Sequence, residues 1–291
     1  MNPMRAFRRR LPIRVAACAF ATLAGACGGS PMAPNPPPQP PANNSPVIVS
    51  IRIQGSKPNE PANFADVGET VGVSAEVRDD ETPVSQLQFL WSSSVGTFSG
   101  NGSTVTWQAP AAVPAPVNVA LRLEVVERYG PASAPTAFEH RVSSSADVRL
   151  HDSAREVGDM ARQFLLDFSD SNIRDVDYVM RNFEPGCYGT ADERQQVQDN
   201  RNEYRIVESS VGLATTTVGF GGVCSFRSRP GDACSRVPVM WDSVQLSNGQ
   251  RGVVRGIDQV AAVYVRSRGE WRLCDSQFDG IVPLHMRGFI R

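Results

Sequence analysis

The sequence predicts a multidomain chain, with an all-β sandwich over residues 46–148 followed by an α+β domain over 149–291. Three observations carry this. Apolar residues recur at every second position in short runs from Val47 to Val126, separated by turn residues. From Asp152 the apolar spacing changes to three and four, and after Ile206 it returns to alternation. Four of the six cysteines, Cys187, Cys224, Cys234 and Cys274, fall in the second region alone.

Ahead of both regions lies a segment that fits neither core. Arg5, Arg8, Arg9, Arg10 and Arg14 make a basic start, and an apolar run follows from Val15 to Ala26. That run is shorter than the ~20 residues a spanning helix needs. Small residues then lead into Cys27 in "TLAGACGGSP". The order is that of an export signal over residues 1–26. Residues 27–45, rich in proline, cannot bury a core and read as an extended tether.

The approach to Cys27 resembles the lipobox of bacterial lipoproteins, in which the cysteine is acylated and becomes the mature N-terminus. The resemblance implies lipidation at Cys27 (palmitate among the chains) and a partner in the membrane itself. A single acyl chain holds a protein only marginally, so several are expected. Gly28 in place of Asp implies the outer membrane by analogy. Leu23 stands one place further from the cysteine than the lipobox pattern has it. Ordinary signal cleavage, with Cys27 a free thiol, is the alternative.

In residues 46–148 the expected strands are Val47–Ile53, Thr70–Arg78, Gln86–Ser92, Thr104–Gln108 and Val117–Val126. The run "FLWSSSVGTFSGNGSTVTWQAP" resembles bacterial surface Ig-like and PKD-like domains. It implies a spacer or adhesive sandwich packed around Trp91. Asp79-Asp80-Glu81 reads as a solvated turn, with calcium as the less favoured reading.

In residues 149–291 an i, i+3, i+4, i+7 stripe of Val157, Met160, Ala161, Phe164, Leu165 and Phe168 predicts a helix, capped by Asp152 or Ser153 with Glu156 in a capping box. Further helices are expected over 173–182 and 190–204. Strands then follow over 206–217, 237–246, 252–266 and 271–278, with Asn248-Gly249 as a hairpin turn. The stretches "WDSVQLSNGQRGVVRG" and "AAVYVRSRGEWRLCDS" are similar to NTF2-like (SnoaL-like) domains, a cone-shaped α+β fold. That likeness implies a cavity, with Tyr178, Trp241, Asp258, Tyr264 and Trp271 as candidate lining residues.

An even number of cysteines in an exported chain reads as disulfides. Cys224 with Cys234 would close a short polar loop, leaving Cys187 with Cys274. Zinc is the weaker reading, since there is no C-x2-C pair and no histidine close by.

Catalytic signatures are missing from the sequence. Asp242, Asp258 and Asp275 match no catalytic motif, and the histidines fall at His140 in the sandwich, His151 in the linker and His285 in the tail. No metal site and no cofactor is expected. The whole chain carries −1, and without the five arginines of the leader it carries −6, a poor match to nucleic acid. The expected partners are the membrane and an unknown protein or small apolar ligand. The reading is a non-catalytic, membrane-anchored envelope lipoprotein. Two alternatives stand beside it: an enzyme acting on a small apolar molecule, and an envelope assembly factor.

Overall fold

Alternating apolar runs in the first region resolve into eight strands: β1 (Val47–Gln54), β2 (Phe64–Asp66), β3 (Thr70–Arg78), β4 (Gln88–Ser93), β5 (Thr97–Ser99), β6 (Thr104–Gln108), β7 (Val117–Tyr129) and β8 (Phe138–His151). The computed structural model describes residues 42–224 and 231–289. Cys27, the leader and most of the tether lie outside them. The strands form two sheets, ordered β1-β3-β6-β5 and β2-β8-β7-β4. All neighbours run antiparallel except β2 and β8.

Inward-facing Ile53, Val71, Val73, Val105, Leu121 and Leu150 pack around Trp107. Trp107 is the central ring, whereas the sequence favours Trp91. Trp107 is fully buried and its Nε1 donates to Ser93 Oγ and the Val95 carbonyl. Trp91 is half-buried beside Phe98 and donates to the Gly102 carbonyl. The "VGTFSG" turn serves Trp107: Gly96 has φ 74°, and a Cβ there would lie 2.6 Å from the indole Nε1. Asp79 Oδ1 accepts from the backbone N–H of Glu81 and of Thr82, so that carboxylate holds a turn.

The second region contains α1 (Ser153–Ser169), α2 (Val176–Val179), α3 (Thr190–Glu203), β9 (Tyr204–Val211), β10 (Thr215–Val218), β11 (Ala233–Gln245), β12 (Arg251–Val265) and β13 (Glu270–Ile281). The capping box forms: Asp152 accepts from Arg155 N–H, while Glu156 Oε1 accepts from Asp152 N–H. Helix α2 is shorter than the periodicity predicts, yet Val176, Val179 and Met180 are all buried. Five strands make one curled sheet, β10-β11-β12-β13, with β9 also on β11.

The single strand expected over 206–217 is split into β9 and β10, which lie end to end along β11. The break faces Pro238, which has no N–H to offer, and Gly212 packs against its ring. Both disulfides are present, Cys187–Cys274 and Cys224–Cys234. The first ties the approach to α3 onto β13.

The two regions share an interior. Residues 40–291 cluster as one compact unit, and only Asp152 separates β8 from α1. Phe64 of β2 belongs to the core of the curled sheet. Its ring stacks on His151 at 5.0 Å and meets Phe220 and Tyr264 edge-on. Ser153 Oγ accepts from Trp271 Nε1, and Ser153 N–H donates to Asp66.

Candidate functional site

The residues that meet inside the curled sheet come from five elements. Helix α1 contributes Phe164, Leu165 and Phe168, and α3 contributes Glu193 and Gln196. Trp241 comes from β11, Asp258 from β12 and Ser276 from β13. Together they enclose a cavity of about 10 Å³, room for roughly one water molecule. The helical stripe that buries α1 therefore also builds the aromatic wall.

Asp258 is the chemically distinctive member. It is 5 % exposed, and its Oδ1 has no hydrogen-bond partner. Burial pushes its carboxyl up to about 7; the hydrogen bond with Ser276 opposes this, and the neighbouring Asp275 adds to it. The Ser276 hydroxyl donates its one hydrogen to Glu193 Oε2 at 2.9 Å. Asp275 is buried beside Gly189 at the start of α3, where a Cβ on residue 189 would collide with the carboxyl. No Arg, Lys or His stands among the residues lining the cavity.

The candidates from sequence separate into groups. Trp241 and Asp258 line the cavity together. Tyr178 does not: it is 48 % exposed on α2, with the Arg181 guanidinium 4.0 Å above its ring. Tyr264 and Trp271 face the seam between the two regions, joined by Phe64, His151 and Phe220. Asp242 accepts a two-pronged bond from Arg251 at 2.7 and 2.6 Å, and that guanidinium holds its carboxyl below the usual range.

His151 is not a solvated linker residue. It is fully buried, with Nδ1 3.0 Å from Glu156 Oε2 and Nε2 3.2 Å from the Tyr264 hydroxyl. Both ring nitrogens therefore have a partner, one a carboxylate and the other a phenol. The group fastens the seam and lies apart from the cavity. Glu193 and Ser276 are site members that sequence reasoning missed, as it missed the tail residue Phe289, which packs on the Phe168 and Trp241 walls. Only the helical register of Glu193 with Val197 carried a signal.

A second, open groove of about 570 Å³ runs along β9, lined by Ser169–Asn172 and Arg205–Ser209. Ser171 Oγ donates to the Ile206 carbonyl and accepts from its N–H, covering that part of the strand edge. Among the described residues no helix is long and apolar enough to cross a membrane. Set against family models, curated proteins and solved structures, the chain finds no match.

Proposed function

We propose that this is a lipid-anchored protein of the bacterial cell envelope, held in the outer membrane through Cys27, whose folded part is a non-catalytic binding module. In this reading the first region is an Ig-like sandwich that serves as a rigid stand-off. The second is an NTF2-like cone that takes a ligand or partner. The observation that carries it is the Asp258 cavity: an aromatic interior with one unpartnered carboxylate oxygen, closed to about 10 Å³. As it stands this interior is too small for any bound small molecule, since ligand sites run to roughly 300–1,000 Å³, so a ligand enters only when it opens. Its lining supplies two carboxyl groups, one amide and the Ser276 hydroxyl, with no cationic side chain among them.

One observation favours an enzyme instead. A carboxyl poised at about 7 is well matched to general acid–base work near neutral pH. The enzyme reading needs substrate within hydrogen-bond reach of Asp258 and a loss of turnover in Asp258→Asn.

The test is to express the full chain with export, beside Cys27→Ser, and feed labelled palmitate. The proposal expects label and membrane recovery for the parent chain, and an unlabelled, released protein for the variant. Equal recovery in the soluble envelope fraction, without label, would remove the anchor from the account.

A further inference from the structure

Beyond β13 the chain turns back across the end of the curled sheet. Met286 and Phe289 are fully buried there, while Ile281 and Leu284 are 77 % and 75 % exposed. The Phe289 ring meets Phe168, Tyr204 and Trp241, and its carbonyl accepts from Asn200 Nδ2 at 2.6 Å. Met286 lies over Gly252, where a Cβ would collide with its sulfur. The segment's own backbone bonds are local, from Met286 N–H to the Pro283 carbonyl and from Phe289 N–H to the Met286 carbonyl. Two apolar side chains and one amide therefore do most of the holding, the kind of contact that opens locally without global unfolding.

Phe168 and Trp241 are shared walls. Each packs on Phe289 and also lines the Asp258 cavity. Phe168 and Trp241 meet edge-on at 5.4 Å, so the space the tail fills joins the acidic cavity behind them when the tail leaves and the two rings swing apart. That enlarged space has two recognition elements. One is the bare Oδ1 of Asp258, near Glu193 and with no cationic side chain in the lining. The other is a pair of aromatic faces. A buried carboxylate must be neutral or paired, and aromatic faces attract cations. An organic ammonium satisfies both elements, which neither a neutral hydrocarbon nor an anion does.

We propose that residues 283–289 form a displaceable stopper, and that the opened space binds a small aromatic amine, its ammonium against Asp258 and its ring against Phe168 and Trp241 in the place the Phe289 ring leaves. This rests on reading the curled sheet as a binding module, and it adds the ligand class and the gate.

The test uses the full chain, benzylamine, and benzyl alcohol as a neutral probe of the same shape, with binding followed by calorimetry. Phe289→Ala should bind benzylamine about tenfold more tightly than the parent chain does, and about tenfold more tightly than it binds benzyl alcohol. Adding Asp258→Asn should abolish the preference between the two probes. If Phe289→Ala binds both equally, the amine class is wrong and the binding module survives. If it keeps its near-ultraviolet dichroism and binds neither probe, the module reading fails too. Should Phe289→Ala not fold, hydrogen exchange of the parent chain decides the gate. Benzylamine should speed exchange at Met286 and Phe289, and unchanged exchange at saturating amine overturns the stopper.

Discussion

Lys57 in the sandwich and Asp258 in the curled sheet meet the burial of charge in opposite ways. Lys57, the only lysine in the chain, sits in the sandwich with its ammonium 3.1, 3.3 and 2.9 Å from Glu60, Asp66 and Glu69. Burial alone would lower its pKa, but Glu69, Asp66 and Glu60 hold it above the usual value. Burial likewise opposes ionisation of Glu69, yet bonds from Asp66 N–H, Lys57 and Ser56 bring it down to about 2. An ammonium offers three separate donors to three carboxylates, which a planar guanidinium does not. In the curled sheet, Asp258 is buried with one oxygen bare. The Lys57 cluster thus pairs its buried ammonium with three carboxylates, while Asp258 keeps one oxygen bare beside aromatic rings. A cost of that kind is expected where a fold serves a ligand rather than only its own stability.

The largest break in this comparison is covalent, because both disulfides belong to the curled sheet. Replacing Cys187 and Cys274 by serine removes a crosslink spanning 87 residues and should cost about 4–5 kcal/mol. The Cys224–Cys234 pair spans only 10 and should cost about 3 kcal/mol. Denaturant titration of the two double variants checks the order. The sandwich has no such staple, so its largest loss should come from its central ring. Trp107→Ala should cost about 4 kcal/mol, and Trp91→Ala clearly less, because Trp91 is only half-buried.

The third prediction concerns pH. The Asp258 carboxyl titrates at about 7 when folded and has an ordinary value of 3.8. Between those values the unfolded chain has lost the proton that the folded chain keeps. Stability is therefore full below pH 4 and falls as pH rises towards 7, by on the order of 4 kcal/mol for this group. Asp258→Asn should flatten that decline, as measured by melting from pH 4 to pH 8. A variant whose melting follows the parent at every pH would show that Asp258 ionises freely. The smallest expected effect is Lys57→Arg, which keeps the charge but spoils the three-way geometry, at about 1 kcal/mol. Lys57→Met should cost more.

How far the sequence reached depended on how local each signal was. The α1 stripe, its capping box and the Asn248-Gly249 turn are set by residues a few positions apart, and they formed as expected. The cysteine pairing followed from count and spacing. Strand β8 escaped notice because Ser143-Ser144-Ser145 interrupts its apolar pattern, and its strand character comes from a long ladder with β7. Pro238 split an expected strand by acting on a neighbour far away in sequence. The candidate site was half legible. Trp241 and Asp258 could be picked from their strands, whereas Glu193, Ser276 and Phe289 join them only through tertiary packing. Phe64 and His151 were unreadable for the same reason, since their meaning lies in the seam between two regions.

Native mass spectrometry of the full chain, expressed with export and recovered from the envelope fraction that holds it, tests the central claim most directly. The account predicts a chain beginning at a lipid-bearing Cys27, lighter by the four hydrogens of two disulfides, with no small molecule released on denaturation. An unmodified Cys27, or a tightly held adduct in a protein whose tail is in place, would contradict it.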